Sequence, residues 1–165
     1  MPQETPATAE ETLQMDLYEQ PGHLIRRANQ IAVSMFFETM NVEVTPIQYS
    51  ILRMLQESPG IDQVTLAGLV ALDKSTAADI AVRLESRGWI HREVVARRQR
   101  CLSLTAEGEA ALNAMVPAVH TLRDRMLASL LPAEQKEFMR LLKKFVHLNN
   151  EQSRAPLQRG SENKT

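Results

Sequence analysis

Two helical hydrophobic patterns meet across only three residues, Ala71-Leu72-Asp73, and two short strand-like segments follow at once. That order restricts the chain more than any other feature. In the first pattern, Asp62 can cap a short helix bearing Val64, Leu66, Ala67, Leu69 and Val70. In the second, Asp73 can cap a helix bearing Ala77, Ile80, Ala81 and Leu84, with Gly88 just past its end as the residue that turns the chain out. A connection this short is helix-turn-helix spacing. After Gly88 the period changes. Trp89–Val95 and Cys101–Leu104 suit strands, and the polar stretch Ala96-Arg97-Arg98-Gln99-Arg100 between them makes a β-hairpin.

The rest reads as helix. Leu24, Ile25, Ala28, Ile31, Ala32, Met35 and Phe36 step by three and four, one apolar stripe over 17–40. Thr45-Pro46 is a cap with proline at the first helical position, for a helix lined by Ile47, Ile51, Leu52 and Leu55 and ended by Ser58-Pro59-Gly60. Thr105 caps a long helix that runs from Leu112 through Met115, Leu122 and Met126 to Leu131. Pro132 starts a last one, with Phe138, Leu141, Leu142, Phe145 and Leu148. The expected class is therefore mostly α with a small β-hairpin wing. A winged helix-turn-helix over 45–105 is flanked by dimerisation helices at 17–40 and 106–149, within one folded unit over 17–150. The ends read as tails. Residues 1–16 are acidic and lack Lys or Arg, and 151–165 are polar with Pro156 and Gly160.

Charge locates a function. Lys plus Arg is 19 and Asp plus Glu is 20, a net −1, which excludes a globally basic binder but not a local patch. The second helix of the pair opens with Lys74-Ser75-Thr76, at the end of a recognition helix that meets base edges in the major groove. Lys74 suits a phosphate or guanine, the two hydroxyls suit a base edge or the backbone, and the helix dipole favours a phosphate. Residues 87–100 hold Arg87, Arg92, Arg97, Arg98 and Arg100 against Glu93 alone. Cations gathered on a ribbon beside that helix suit a wing reaching phosphates or the minor groove, with salt-dependent binding. The expected DNA contacts are Lys74, Ser75, Thr76, Arg83, Arg97, Arg98 and Arg100.

Other classes find no support. Cys101 is the single cysteine, so no disulfide framework or cysteine-rich zinc cluster is expected. The histidines at 23, 91, 120 and 147 include no i, i+4 pair, so no metal or cofactor is expected. No apolar run approaches the roughly 18 residues of a membrane span, and no signal peptide is visible, so a cytoplasmic protein is expected. A phosphate loop, a nucleophile elbow and paired carboxylates on one helix face are all missing, so the chain is not expected to be an enzyme.

The run Asp73-Lys74-Ser75-Thr76, the segment Leu84-Glu85-Ser86-Arg87-Gly88-Trp89-Ile90, the pair Arg97-Arg98 and the stretch Leu102-Ser103-Leu104-Thr105-Ala106-Glu107-Gly108 together resemble the MarR family of bacterial regulators. The resemblance covers about 17–148. It implies a homodimeric winged-helix transcription factor, most often a repressor that releases DNA on binding a small phenolic or aromatic-acid ligand. It places the recognition helix at about 74–87 and the wing at about 90–104, with Arg98 as the best match to the family's wing arginine. The family usually has an acidic residue just before the wing-tip pair, where this chain has Ala96, and the wing here is about two residues shorter than in many members.

Dimerisation also follows from the terminal helices, whose apolar faces the helix-turn-helix core cannot cover. An interface of roughly 2,000–5,000 Å² is expected. Two recognition helices about 34 Å apart would then read an inverted repeat.

Pro21-Gly22-His23-Leu24-Ile25-Arg26-Arg27, Gly60-Ile61-Asp62-Gln63 and the Asp-Lys-Ser-Thr run look like the branch controlling aromatic and N-heteroaromatic (nicotinate-type) acid degradation. That implies a flat carboxylate effector, which needs a cation and hydrogen-bond donors in an apolar slot. His23, Arg26 and Tyr49 are nominated, with Met35 or Phe36 as wall. A ligand-independent DNA-binding regulator, or a redox sensor using Cys101, are the alternatives.

Overall fold

Caps fix where the helices begin. The computed structural model describes residues 16–95 and 99–158. Thr45 and Gln48 form a reciprocal capping box, the Thr45 hydroxyl accepting from Gln48 N–H at 3.2 Å and the Gln48 side chain accepting from Thr45 N–H at 2.9 Å. Asp62 accepts from the N–H groups of Val64 and Thr65, each at 3.0 Å. Asp73 accepts from Thr76 N–H, and Thr105 from Gly108 N–H. Each removes an unsatisfied donor from a helix start, worth about 1 kcal/mol.

Six α-helices result among the described residues: α1 (Pro21–Thr39), α2 (Pro46–Glu57), α3 (Gln63–Leu69), α4 (Lys74–Ser86), α5 (Ala106–Leu127) and α6 (Pro132–Leu148). Three strands, β1 (Ile61–Asp62), β2 (Ile90–Val94) and β3 (Arg100–Leu104), form an antiparallel sheet in the order β1-β3-β2. The hairpin has the expected place, with Ile90 opposite Leu104 and Val94 opposite Arg100. β1 is a third strand beyond the two expected. Its two residues pair with Leu102 and Cys101, too few to carry an alternating pattern.

The expected helix over 17–40 is divided. Leu17–Glu19 forms a 3-10 turn, Gln20 is extended, and α1 starts at Pro21, whose ring cannot continue a preceding helix. The long helix stops at Leu127, short of the expected Leu131, and 128–131 connect it to α6. At the C-terminal end the expectation of an unstructured segment from 151 differs from what is found for 151–158. A 3-10 turn at Asn150–Gln152 leads into a stretch whose Gln158 N–H donates to Gly68 O at 2.8 Å. Residues 1–15 and 159–165 lie outside the described residues.

The core is centred on the winged-helix part and extends into α1 and α5. Ile51, Leu52 and Leu55 of α2, Leu66 of α3, Ala81 and Leu84 of α4, Ile90, Leu102, and Leu112 and Met115 of α5 are buried together. Fully burying the larger of these side chains contributes roughly 1.5–3 kcal/mol each. The sheet is locked to α5 by a close approach. A Cβ at Gly108 would lie 1.9 Å from Trp89 O, so only glycine fits there. Thr105 N–H donates to that same oxygen at 3.0 Å.

By contrast, α6 has no buried residue at all. Leu141, Leu142, Phe145, Val146 and Leu148 are exposed, as are Leu24, Ile25, Ile31 and Phe37 on α1. An Arg125–Glu38 ion pair at 3.0 Å ties α5 to α1.

Candidate nucleic-acid interface

The recognition helix α4 is held by a motif at each junction. α3 ends with Ala71 at φ 53°, Leu72 N–H donating to Ala67 O at 2.9 Å and Ala71 N–H to Gly68 O at 3.3 Å. That is a Schellman turn with alanine where glycine is usual. It leads directly into the Asp73 cap. α4 ends in a second such turn, with Gly88 at φ 75°, Trp89 N–H on Leu84 O at 3.1 Å and Gly88 N–H on Glu85 O at 2.8 Å. Ala77, Ile80, Ala81 and Leu84 face the core, which leaves Lys74, Ser75, Thr76 and Arg83 exposed.

The tip is more constrained than its sequence suggests. Ser75 Oγ donates to Asp73 at 2.6 Å, and Thr76 Oγ1 donates to the other carboxylate oxygen at 2.8 Å. With Thr76 N–H also on Asp73, these bonds hold its carboxyl well below the usual carboxylate range, the Ser75 hydroxyl contributing most. Both hydroxyl hydrogens are thus committed inside the cap. Towards a partner, Ser75 and Thr76 present oxygen lone pairs.

The wing's charge is also partly committed. Arg92 pairs with Glu85 of α4, Nη2 at 2.5 Å and Nε at 2.7 Å, and its side chain is only 17% exposed. This pairing holds the Glu85 carboxyl below its ordinary range. Arg87 donates to Glu43 O and stacks over Trp89, its guanidinium carbon 4.0 Å from the ring centroid. Two of the five cations counted along 87–100 therefore brace the hairpin, a correction to the charge reading. Glu85 escapes that count because it lies just upstream. Arg100 is exposed at the start of β3, opposite Val94. Val95 N–H on Gln99 O at 2.8 Å closes the described part of the hairpin, and Ala96, Arg97 and Arg98 lie outside the described residues.

The nominated effector residues are not brought to one place. His23 is half-buried, edge-on to Tyr18 with ring centroids 5.5 Å apart. Arg26 is exposed and donates to Gln30 at 3.0 Å. Tyr49 is half-buried against Phe36, centroids 6.5 Å apart, and Phe36 is itself a core residue, with Met35 packed at its edge. Tyr49 lines a shallow groove of about 350 Å³ with Arg53, Met54, Leu69 and Leu157, and neither His23 nor Arg26 reaches it. Its cation is Arg53, paired with Glu57 at 3.0 Å. Sequence reasoning misses Arg53, although it stands four residues after Tyr49 on one helix. Cys101 sits in register between Asp62 and Glu93 on the central strand, acidic neighbours rather than the cationic ones typical of reactive cysteines. Among the described residues no His, Cys, Asp and Glu group could hold a metal, and no helix is long and apolar enough to cross a membrane.

A helix-turn-helix with its second helix open along the polar face, backed by a braced hairpin, defines a winged-helix DNA-binding protein. The chain belongs to the MarR family of transcription regulators. The MarR family model matches residues 44–96. The transcriptional regulator HosA of Escherichia coli is 36% identical over 107 residues, 64% of this chain and 79% of HosA. The transcriptional repressor NicR of Pseudomonas putida is 30% identical over 134 residues, 79% of this chain and 85% of NicR.

Solved structures agree. PcaV of Streptomyces coelicolor, in complex with its natural ligand, matches with a TM-score of 0.75 at 32% identity, covering 81% of this chain and 96% of PcaV. BpsR of Bordetella bronchiseptica, whose DNA binding is regulated by 6-hydroxynicotinic acid, gives 0.75 at 29%, covering 81% and 98%. The repressor CouR, bound to a 23-mer DNA duplex, gives 0.74 at 25%, covering 81% and 99%.

Proposed function

We propose that the chain is a homodimeric, sequence-specific repressor that holds an inverted-repeat operator and leaves it when a small aromatic carboxylate binds, in the control of aromatic or nicotinate-type acid breakdown. The observation that carries this reading is the open polar face of α4. Lys74, Ser75, Thr76 and Arg83 are exposed while the opposite face of the same helix is core. Lys74, Arg83 and Arg100 take phosphates or guanines, and Arg97 and Arg98 are assigned the same role at the wing. The winged part at 45–105 reads DNA, and the flanking helices pair two copies. That pairing is supported by α6, which has no buried residue within its own chain.

The effector class is supported by the relatives. NicR is a repressor of the same family, PcaV was solved with its ligand, and BpsR responds to 6-hydroxynicotinic acid. In the dimer, His23, Arg26 and Tyr49 supply the cation and donors that a flat carboxylate needs. The protein acts in the bacterial cytoplasm, at the nucleoid.

Fluorescence anisotropy with a labelled fragment from immediately upstream of its own gene tests this. Tight binding at low salt, weakened by salt and relieved by 6-hydroxynicotinate or a related aromatic acid, is expected. Binding that no such acid relieves points to a ligand-independent regulator, and no binding at low salt overturns the reading.

A further inference from the structure

Residues after 150 are polar in sequence and lie outside the recognition helix and wing. In the structure residues 150–158 form a strap. Asn150 bonds Leu157 in both directions, its Nδ2 donating to Leu157 O at 3.1 Å and its Oδ1 accepting from Leu157 N–H at 2.8 Å. Ser153 Oγ donates to Ala155 O at 3.2 Å and accepts from Ala155 N–H at 3.3 Å. Gln158 N–H then donates to Gly68 O on α3 at 2.8 Å. A Cβ at Gly68 would lie 2.7 Å from Gln158 Oε1, so α3 leaves room for the strap where it crosses.

The strap carries Arg154 to the tip of the recognition helix. Its Nη2 stands 3.7 Å from Asp73 Oδ2, on the residue that caps α4 ahead of Lys74, Ser75 and Thr76. Arg154 is 93% exposed, and this one long contact leaves most of its five N–H donors free. Electrostatics gives it a task. Asp73 is a committed carboxylate at the surface meant for phosphates. Its negative charge is needed for the cap and repels a duplex. A guanidinium beside it offsets that charge and offers a fork that fits phosphate oxygens.

We propose that Arg154, delivered by the strap at 150–158, is a DNA-backbone contact that extends the recognition-helix surface. This rests on the DNA-binding reading given under the proposed function. PcaV, BpsR and CouR are each matched over nearly their whole length by 81% of this chain, so about a fifth of it lies beyond what they share.

The test compares wild type, Arg154→Ala, Arg154→Lys and a chain ending at Ser153 as salt is raised. Two labelled duplexes serve, the upstream fragment and a mixed-sequence duplex of about 30 base pairs. Circular dichroism and light scattering confirm equal folding and assembly. The slope of log affinity against log salt is expected to fall by about one per protomer in Arg154→Ala, on both duplexes alike, by at least that in the shortened chain, which also lacks Arg159 and Lys164, and to stay near wild type in Arg154→Lys. A slope unchanged by Arg154→Ala, or tighter binding by that variant, overturns the proposal while leaving the DNA reading intact. Failure of the wild type to bind either duplex overturns the DNA reading itself.

Discussion

Single side chains decide several features of this fold. Gly108 stands where α5 meets the Trp89 carbonyl, and a methyl group there has no room. Gly108→Ala is expected to destabilise the fold by about 3 kcal/mol, the upper end for overpacking, read as a lower urea midpoint. Asp73 gives a pH signature. Its carboxyl is held below the ordinary range in the folded chain, by Ser75 first and then Thr76. A group with a depressed folded value adds stability above its unfolded value of about 3.9 and loses it as pH falls towards the folded one. Thermal melts from about pH 5 down to pH 3 should therefore show a smaller loss for Asp73→Asn than for wild type. Identical acid limbs would show that the cap carries no such linkage. The two sites differ in how far the sequence shows them. Asp73 announces itself as a cap by position, but its capture of both hydroxyls depends on side-chain geometry. Gly108 sits in a helix's first turn, where nothing local requires a glycine.

Among the elements, the hairpin separates bracing cations from free ones. Arg92 is largely buried against Glu85, whereas Arg100 is open to solvent. Arg92→Ala should cost about 1 kcal/mol in stability and leave the salt slope of DNA binding unchanged. Arg100→Ala should do the reverse, holding stability and lowering the slope by about one per protomer. Chemical denaturation and anisotropy on the same samples distinguish the two. The helices and hairpin are readable because caps, Gly88 and the apolar stripes all act within a few residues of one another. β1 is not, since a two-residue strand exists only through its partner residues on β3. The strap is not either, because Gln158 meets Gly68 across more than half of the chain's length and no local pattern records it.

At the scale of the molecule, the core joins the winged part to α1 and α5, and α6 stands outside it. Phe145, 51% exposed on α6, lies amid the apolar face that pairing would cover. Phe145→Glu is expected to give a monomer by analytical ultracentrifugation and to lose specific DNA binding, and a dimer of wild-type affinity would place the interface elsewhere. The family and its fold are visible from the recognition-helix and wing residues. The nominated effector residues are a different matter, since His23, Arg26 and Tyr49 converge on nothing within one chain. The bare face of α6 has a dosage consequence. If two copies must meet before either can work, functional regulator grows with the square of the chain's abundance when chains are scarce. Melting temperature should then climb with protein concentration, and promoter silencing should set in steeply as the cell accumulates the gene product.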